Sequence, residues 1–298
     1  MAGLEVKDLS KTFRLRSGLR SVALEAVKHV SFTLDPGRTV ALVGQSGSGK
    51  STVARIIAQL ESPTAGDILL DGKSFGRHGR ALREYRDDVQ MIFQDPFASL
   101  NPFHTIEHHL ARPLQLHGKA KGREQVRAKV VELLQRVNLE PAADFVDRRP
   151  HELSGGQRQR VAIARALAPG PRILIADEPV SMLDVSIRLG VLNLLARLQR
   201  EENLCVLYIT HDLATARHFS DEILVMYRGE VVERGPADDV ILRPQADFTK
   251  LLAAAAPEPS RHERFTSVSS RYAQAEAVHR TSSHPAMQAE NTPPRSDS

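Results

Sequence analysis

Cysteine is almost missing from this sequence: its 298 residues include one, Cys205. A single thiol excludes an intrachain disulfide and a four-cysteine iron–sulfur cluster held by one chain. Long apolar runs are missing too. Among the most continuous is Leu251-Leu252-Ala253-Ala254-Ala255-Ala256, far short of the roughly 18 residues a membrane-crossing helix needs. The start, Met1-Ala2-Gly3-Leu4-Glu5-Val6, lacks the basic-then-apolar form of a secretory leader, so a cytoplasmic location is expected, with any membrane supplied by a partner. An excess of one charge sign is also lacking. A net charge of +4 fits scattered surface Lys and Arg rather than a nucleic-acid face, and no nucleic-acid partner is expected.

What is present suffices for a large buried core: 41% of the residues are hydrophobic, and one large domain with a smaller insertion is the natural division. Residues 1–93 read as strand-rich, with a turn at Thr33-Leu34-Asp35-Pro36-Gly37-Arg38 and a short strand from Ala65 closed by Asp71-Gly72. Residues 94–152 turn helical; Val126, Val130, Leu133, Leu134 and Val137 fall on one helix face. Residues 153–242 alternate helix and strand, the pattern of a parallel sheet with crossover helices. Cys205 lies in the apolar run Leu204 to Ile209 and reads as a buried strand residue. From 257 to 298 Pro, Ser, Arg, His and Ala dominate, and a disordered tail is expected.

Chemistry enters at Gly44-Gln45-Ser46-Gly47-Ser48-Gly49-Lys50-Ser51, which fits G-x4-G-K-[ST] between the apolar run Thr39 to Val43 and a helix-like stretch from Thr52. Glycines let the backbone curl so that N–H groups face phosphate oxygens, and the following helix adds its positive end. Lys50 would reach the β- and γ-phosphates of a nucleoside triphosphate, and the Ser51 hydroxyl would ligate Mg2+. A second glycine-led helix follows Leu153-Ser154-Gly155-Gly156-Gln157, giving a second anion-binding N-terminus. Beyond it, Ile173-Leu174-Ile175-Ala176-Asp177-Glu178 reads as a buried strand ending in two carboxylates. Asp177 suits the Mg2+ shell, and Glu178 suits a base that polarises the attacking water. A strand-end glutamate simply facing water remains the plain alternative.

These residues resemble the ATP-binding cassette (ABC) ATPases, whose signature is LSGGQ. The resemblance implies an α/β fold: a P-loop NTPase core of RecA type, with an antiparallel β subdomain and a helical subdomain inserted at about 94–160, in a domain spanning 1–256. It also implies ATP and Mg2+ as cofactors. By the same resemblance Phe13 stacks on adenine, Gln94 senses Mg2+ and water, and Ser181-Met182-Leu183-Asp184 is the D-loop. His211, in Tyr208-Ile209-Thr210-His211-Asp212, contacts the γ-phosphate. Taken singly, Gln94 reads as a solvated surface residue, His211 as a structural histidine and Phe13 as core. The family implies a head-to-tail dimer in which one subunit's phosphate loop, Gly44 to Thr52, and the other's Ser154, Gly155, Gly156, Gln157 and Asp184 enclose ATP.

Within the family the chain is similar to the ATPase subunits of dipeptide and oligopeptide importers, through Met91-Ile92-Phe93-Gln94-Asp95-Pro96-Phe97-Ala98-Ser99-Leu100-Asn101-Pro102, Arg149-Pro150-His151-Glu152-Leu153 and Asp177 to Ile187. The partners implied are two membrane permeases, a second ATPase subunit, identical or different, and indirectly an extracytoplasmic solute-binding protein. Residues 96–102 would receive a permease's coupling helix at the cytoplasmic face of the membrane. The alternative is a non-transport ABC ATPase such as a carbon–phosphorus lyase accessory subunit. Three places depart from the family pattern: Met182 for the usual Ala, Arg188-Leu189-Gly190 for a Gln-containing stretch, and Ala246-Asp247-Phe248-Thr249 for His-Pro-Tyr-Thr.

Overall fold

The computed structural model describes residues 3–17, 20–76 and 78–255; the disorder expected for 257–298 falls outside them. Among the described residues ten strands form two sheets. The first is antiparallel, ordered β2-β1-β4-β5, from β1 (Leu4–Ser17), β2 (Arg20–Leu34), β4 (Ala65–Leu70) and β5 (Lys73–Ser74). Its alternation is visible in β2, where Val30, Phe32 and Leu34 are buried while Ser31 and Thr33 are exposed, as expected of a sheet with one wet face. The second is ordered β10-β9-β3-β8-β7-β6, from β3 (Thr39–Val43), β6 (Val89–Ile92), β7 (Ile173–Asp177), β8 (Cys205–Thr210), β9 (Glu222–Tyr227) and β10 (Glu230–Pro236).

Every residue of β3, β7 and β8 is buried, which explains why these segments read as unbroken apolar runs: a parallel sheet covered on both faces has no polar side. Cys205 is in place as the first residue of β8, and burial pushes its thiol pKa up to about 11. The expectation of a parallel region through 242 needs one correction. Strand β10 pairs antiparallel with β9, because Arg228 (φ 48°) and Gly229 (φ 89°) form a tight two-residue hairpin turn.

The phosphate-loop helix is α1 (Lys50–Ile57), and α2 (Gly79–Asp88) follows inside the stretch read as strand-rich. That helix escaped notice because Tyr85 is its one buried residue, too little for a periodic stripe. Tyr85 stacks on Phe75 at 3.8 Å and donates its hydroxyl to the Ile57 carbonyl at 2.6 Å. The helical region holds α3 (Pro96–Ser99), α4 (Ile106–Leu116), α5 (Arg123–Arg136) and α6 (Ala143–Val146). In α5 the buried residues are Val126, Val130, Leu133 and Leu134, the face read from the sequence, with Val137 buried just beyond. Next come α7 (Gly155–Leu167), α8 (Val185–Glu201), α9 (Leu213–Phe219), α10 (Ala237–Leu242) and α11 (Asp247–Ala255). One apolar cluster joins the helical region to α7, α8 and one sheet face, and a second fills the space between the two sheets. The departure at 246–249 keeps an aromatic: Phe248 packs on Tyr227 at 4.2 Å. Among the described residues no helix is long and apolar enough to cross a membrane.

Candidate active site

Residues 44–49 carry the chain from β3 into α1. Gly49 sits at φ 107°, and a Cβ there would lie 2.2 Å from the Ala26 carbonyl oxygen, so only glycine lets β2 run this close to the loop. The turn closes through Ser48 N–H donating to the Gln45 carbonyl at 3.2 Å, and the helix starts with Val53 N–H donating to Gly49 at 3.0 Å. Gln45, Ser46 and Gly47 form the exposed crest, Gly44 is buried, and Thr52 is half-buried. Lys50 is buried and folds back, its Nζ donating to the Gly44 and Gln45 carbonyls at 2.7 and 3.0 Å. Burial holds its pKa below the usual lysine value, with Glu178 and Asp177 opposing that shift. The Ser48 hydroxyl is buried without a hydrogen-bond partner, a donor held in reserve beside the crest.

The carboxylates come from the adjoining strand. Asp177 ends β7, is 6% exposed and accepts a hydrogen bond from Ser51 Oγ at 3.2 Å. Burial raises its pKa, the Ser51 bond working against that, and among the described residues no Lys or Arg ion-pairs with it. A serine hydroxyl against a buried carboxylate, with Lys50 and Arg55 acting on it only at a distance, is a hard oxygen donor set, and it fits Mg2+.

Glu178 follows at φ 44°, a left-handed backbone turn fixed by its N–H donating to the Ile209 carbonyl of β8 at 2.9 Å. Its Oε2 accepts from Gln94 Nε2 at 2.9 Å, and its Oε1 lies 3.3 Å from His211 Nδ1. Gln94, Glu178 and His211 stand just past the ends of β6, β7 and β8, which are neighbours in the sheet. Three residues far apart in the sequence are thus gathered at the carboxyl edge of a parallel sheet, where open α/β folds bind ligands.

His211 is held by its neighbours, a support the sequence reading missed. Asp212 caps α9 by accepting from Ala214 and Thr215 N–H at 2.9 and 3.4 Å, its own N–H donates to Thr210 Oγ1 at 3.0 Å, and Tyr208 donates to Thr215 Oγ1 at 3.1 Å. Asp before an apolar helical start was the available signal. The D-loop is tied in by Ser181 Oγ donating to the Glu178 carbonyl at 3.1 Å, while Asp184 is exposed just before α8.

The remaining candidates lie apart. Ser154 caps α7, accepting from Gln157 N–H at 3.3 Å while Gln157 Oε1 accepts from Ser154 N–H at 3.0 Å, a reciprocal capping box. A Cβ on Gly156 would come 2.6 Å from Ile187 Cγ2, so the bare backbone is needed for α8 to pack there. Gly155 is half-buried at the same turn. Among the described residues no hydrogen bond joins 154–157 to 44–51. Phe13 pairs across the β1–β2 hairpin with Leu24, two residues before Ala26, and Lys11 Nζ lies 4.9 Å over its ring. The hairpin therefore flanks the loop, and no ring contact reaches from Phe13 to it among the described residues.

A parallel-sheet edge that offers a phosphate loop, two carboxylates and a glutamine–histidine clasp, with a separately capped helix nearby, is the architecture of an ATP-binding cassette ATPase. Solved structures agree. The dimeric post-hydrolysis structure of the ATP-binding cassette MJ0796 bound to ADP and Pi has a TM-score of 0.67 at 33% identity, covering 78% of this chain and 98% of that one. The cassette cbiO1 of Clostridium perfringens has a TM-score of 0.69 at 27% identity, covering 81% and 91%. The ABC transporter family model matches residues 27–181, and the chain belongs to that family. Among curated relatives, the glutathione import ATP-binding protein GsiA of Pectobacterium atrosepticum is 47% identical over 267 residues, 88% of this chain and 42% of the relative. GsiA of Escherichia coli O157:H7 is 47% identical over 264 residues, 87% and 42% respectively. The chain thus spans about two-fifths of the length of the relatives it matches.

Proposed function

We propose that this chain is the ATP-hydrolysing subunit of an importer for glutathione or related short peptides, working at the cytoplasmic face of a membrane with permease partners. The observation that carries the chemistry is the Glu178 carboxylate held between Gln94 and His211 beside Asp177 and Ser51. In hydrolysis Glu178 accepts a proton from a water as the water oxygen bonds to the γ-phosphorus and the bond to the ADP oxygen breaks. Gln94 and His211 each engage one carboxylate oxygen, which leaves a further lone pair on each oxygen to accept from that water. Ser51 and Asp177 would hold Mg2+, which when bound neutralises charge on the phosphates. Lys50 supplies a second positive charge there once its Nζ leaves the Gly44 and Gln45 carbonyls.

The reading includes a second copy or a homologous subunit. Ser154 to Gln157 form a helix start suited to an anion, with no hydrogen bond to this chain's own loop among the described residues, and a partner arranged head to tail would bring the two together around ATP. Import is supported by the length of the match to glutathione import ATPases and by the exposed side chains of Phe97 and Phe103 in and beside the segment 96–102, an apolar offering to a docking partner.

Uptake of labelled glutathione and of dipeptides, measured in the source cell with and without the gene, tests the reading. Loss of uptake that the wild-type gene restores and Phe97→Asp does not is expected, since the aspartate would bury an unpaired charge at the docking face. Unchanged uptake, with recovery of the protein in a soluble complex free of permeases, would favour a non-transport ATPase.

A further inference from the structure

The segment after Gln94 is fastened at both ends. Asp95 caps α3 by accepting from Phe97 and Ala98 N–H at 2.7 and 3.0 Å, directly after the glutamine that bonds Glu178. On its other side α3 touches α7. The Phe97 ring lies under the Arg158 guanidinium at 4.4 Å, and its Cζ is 3.9 Å from where a Gly155 Cβ would sit. Arg165 donates to the Ser99 carbonyl. Arg158 does more than stack: its Nε donates to the Leu153 carbonyl at 3.1 Å and its Nη2 to the His151 carbonyl at 3.4 Å, so the same guanidinium grips the backbone leading into Ser154. Lys could not replace it, because one ammonium lacks the flat face and the fixed fork of donors.

We infer that Arg158 is a positioning residue that ties the loop 151–154 to Phe97, so that a force on α3 is felt at the helix start this chain lends to another copy's ATP. Phe97 is 47% exposed and within reach of a partner. Through Gln94 the same segment reaches this chain's own Glu178. One docking event therefore acts on two ATP sites at once: the base of one and the signature of the other. Among the described residues the hydrogen bonds that fix Ser154 are those of the capping box, next to this arginine-held loop. The inference rests on the shared-site dimer proposed above.

Its test uses equimolar mixtures of full-length chains. One carries Lys50→Ala and serves only as signature donor; the other carries Ser154→Asp, which keeps a good helix cap but sets a negative charge against the phosphates, and serves only as loop donor. ATPase activity that appears only on mixing comes from one productive site. Arg158→Lys on the signature donor should lower kcat about fivefold, the loss of about 1 kcal/mol of stacking and hydrogen bonding, with KM for ATP unchanged. The same substitution on the loop donor should change kcat less than about twofold. Phe97→Leu on the signature donor should copy the loss, and Phe97→Tyr should restore activity. Equal loss whichever chain carries Arg158→Lys, or no loss on either, would overturn the inference while leaving the dimer intact. Absence of any activity on mixing would remove the shared site, and this inference with it.

Discussion

At the ends of β6, β7 and β8, groups from three strands meet within one chain; at the start of α7, the functional groups turn inward and satisfy one another. Among the described residues the first region holds unresolved electrostatic demand: a buried lysine, a buried carboxylate in no direct Lys or Arg ion pair and a serine hydroxyl without a partner. In the second, Ser154 and Gln157 satisfy each other in a capping box and Arg158 braces the loop. The strand-end region thus offers groups to a charged ligand from its own chain, whereas in the proposed dimer the helix start would be brought to a ligand from outside. Substitutions should act accordingly, as losses of chemistry in the first region and as losses of geometry in the second.

The largest effect should come from Glu178→Gln. Turnover is expected to fall at least about a hundredfold while ATP affinity stays within about twofold, as removal of a positioned base requires. Single-turnover hydrolysis and equilibrium nucleotide binding on the same preparation would check this; near-wild-type turnover would remove Glu178 from the chemistry. A smaller effect is expected from Gly49→Ala, whose Cβ meets the Ala26 carbonyl at a φ disfavoured for side chains. Stability should drop by about 2–4 kcal/mol in urea titration, with ATP affinity lost as the loop is pushed open.

Ser154→Ala sharpens the contrast. It should cost about 1 kcal/mol of stability through the lost cap and leave ATP binding to the single chain unchanged. Calorimetry with nucleotide titration separates the two; weakened binding by the isolated chain would mean that α7 touches its own loop. The smallest effect has the opposite sign. Burial raises the Asp177 pKa, so the folded protein bears the charged form at a disadvantage that is absent below the unfolded carboxylate pKa and grows as pH rises through the higher folded value. Asp177→Asn should therefore match wild type near about pH 3 and melt on the order of 2 °C higher near about pH 8, with Mg2+-dependent stabilisation abolished. A variant less stable than wild type at the higher pH would show that Asp177 is a structural partner.

Much of the strand-end site is legible in the sequence because its parts are contiguous or sit at strand ends. Lys50 and Ser51 follow the loop glycines, and Asp177-Glu178 closes an apolar run whose lack of alternation marks a doubly covered strand. Gln94 and His211 carry no local signal of their own; each belongs to the site only because β6 and β8 flank β7, and strand order is not written in any one segment. The same blindness hid the contact of Phe97 with Arg158, residues apart in the chain that meet where α3 lies on α7. Helix α2 was missed for a different reason: with Tyr85 alone buried, it is held by one stacked ring and by polar bonds of Arg83, Tyr85, Arg86, Asp87 and Asp88 rather than by an apolar stripe. The antiparallel β10 turned on two positive φ angles, one of them at an arginine, where residue type gives no warning.

Completion of the inward-turned helix start by a second copy would make the ATP site a shared one. Sedimentation of full-length Glu178→Gln with and without MgATP measures this most directly. The expected result is a monomer that becomes a dimer on adding MgATP, an effect abolished by Lys50→Ala and by Ser154→Asp alike, although only Lys50→Ala removes ATP binding by the single chain. A protein that binds MgATP to saturation and stays monomeric, or that dimerises equally well with Ser154→Asp, would contradict it.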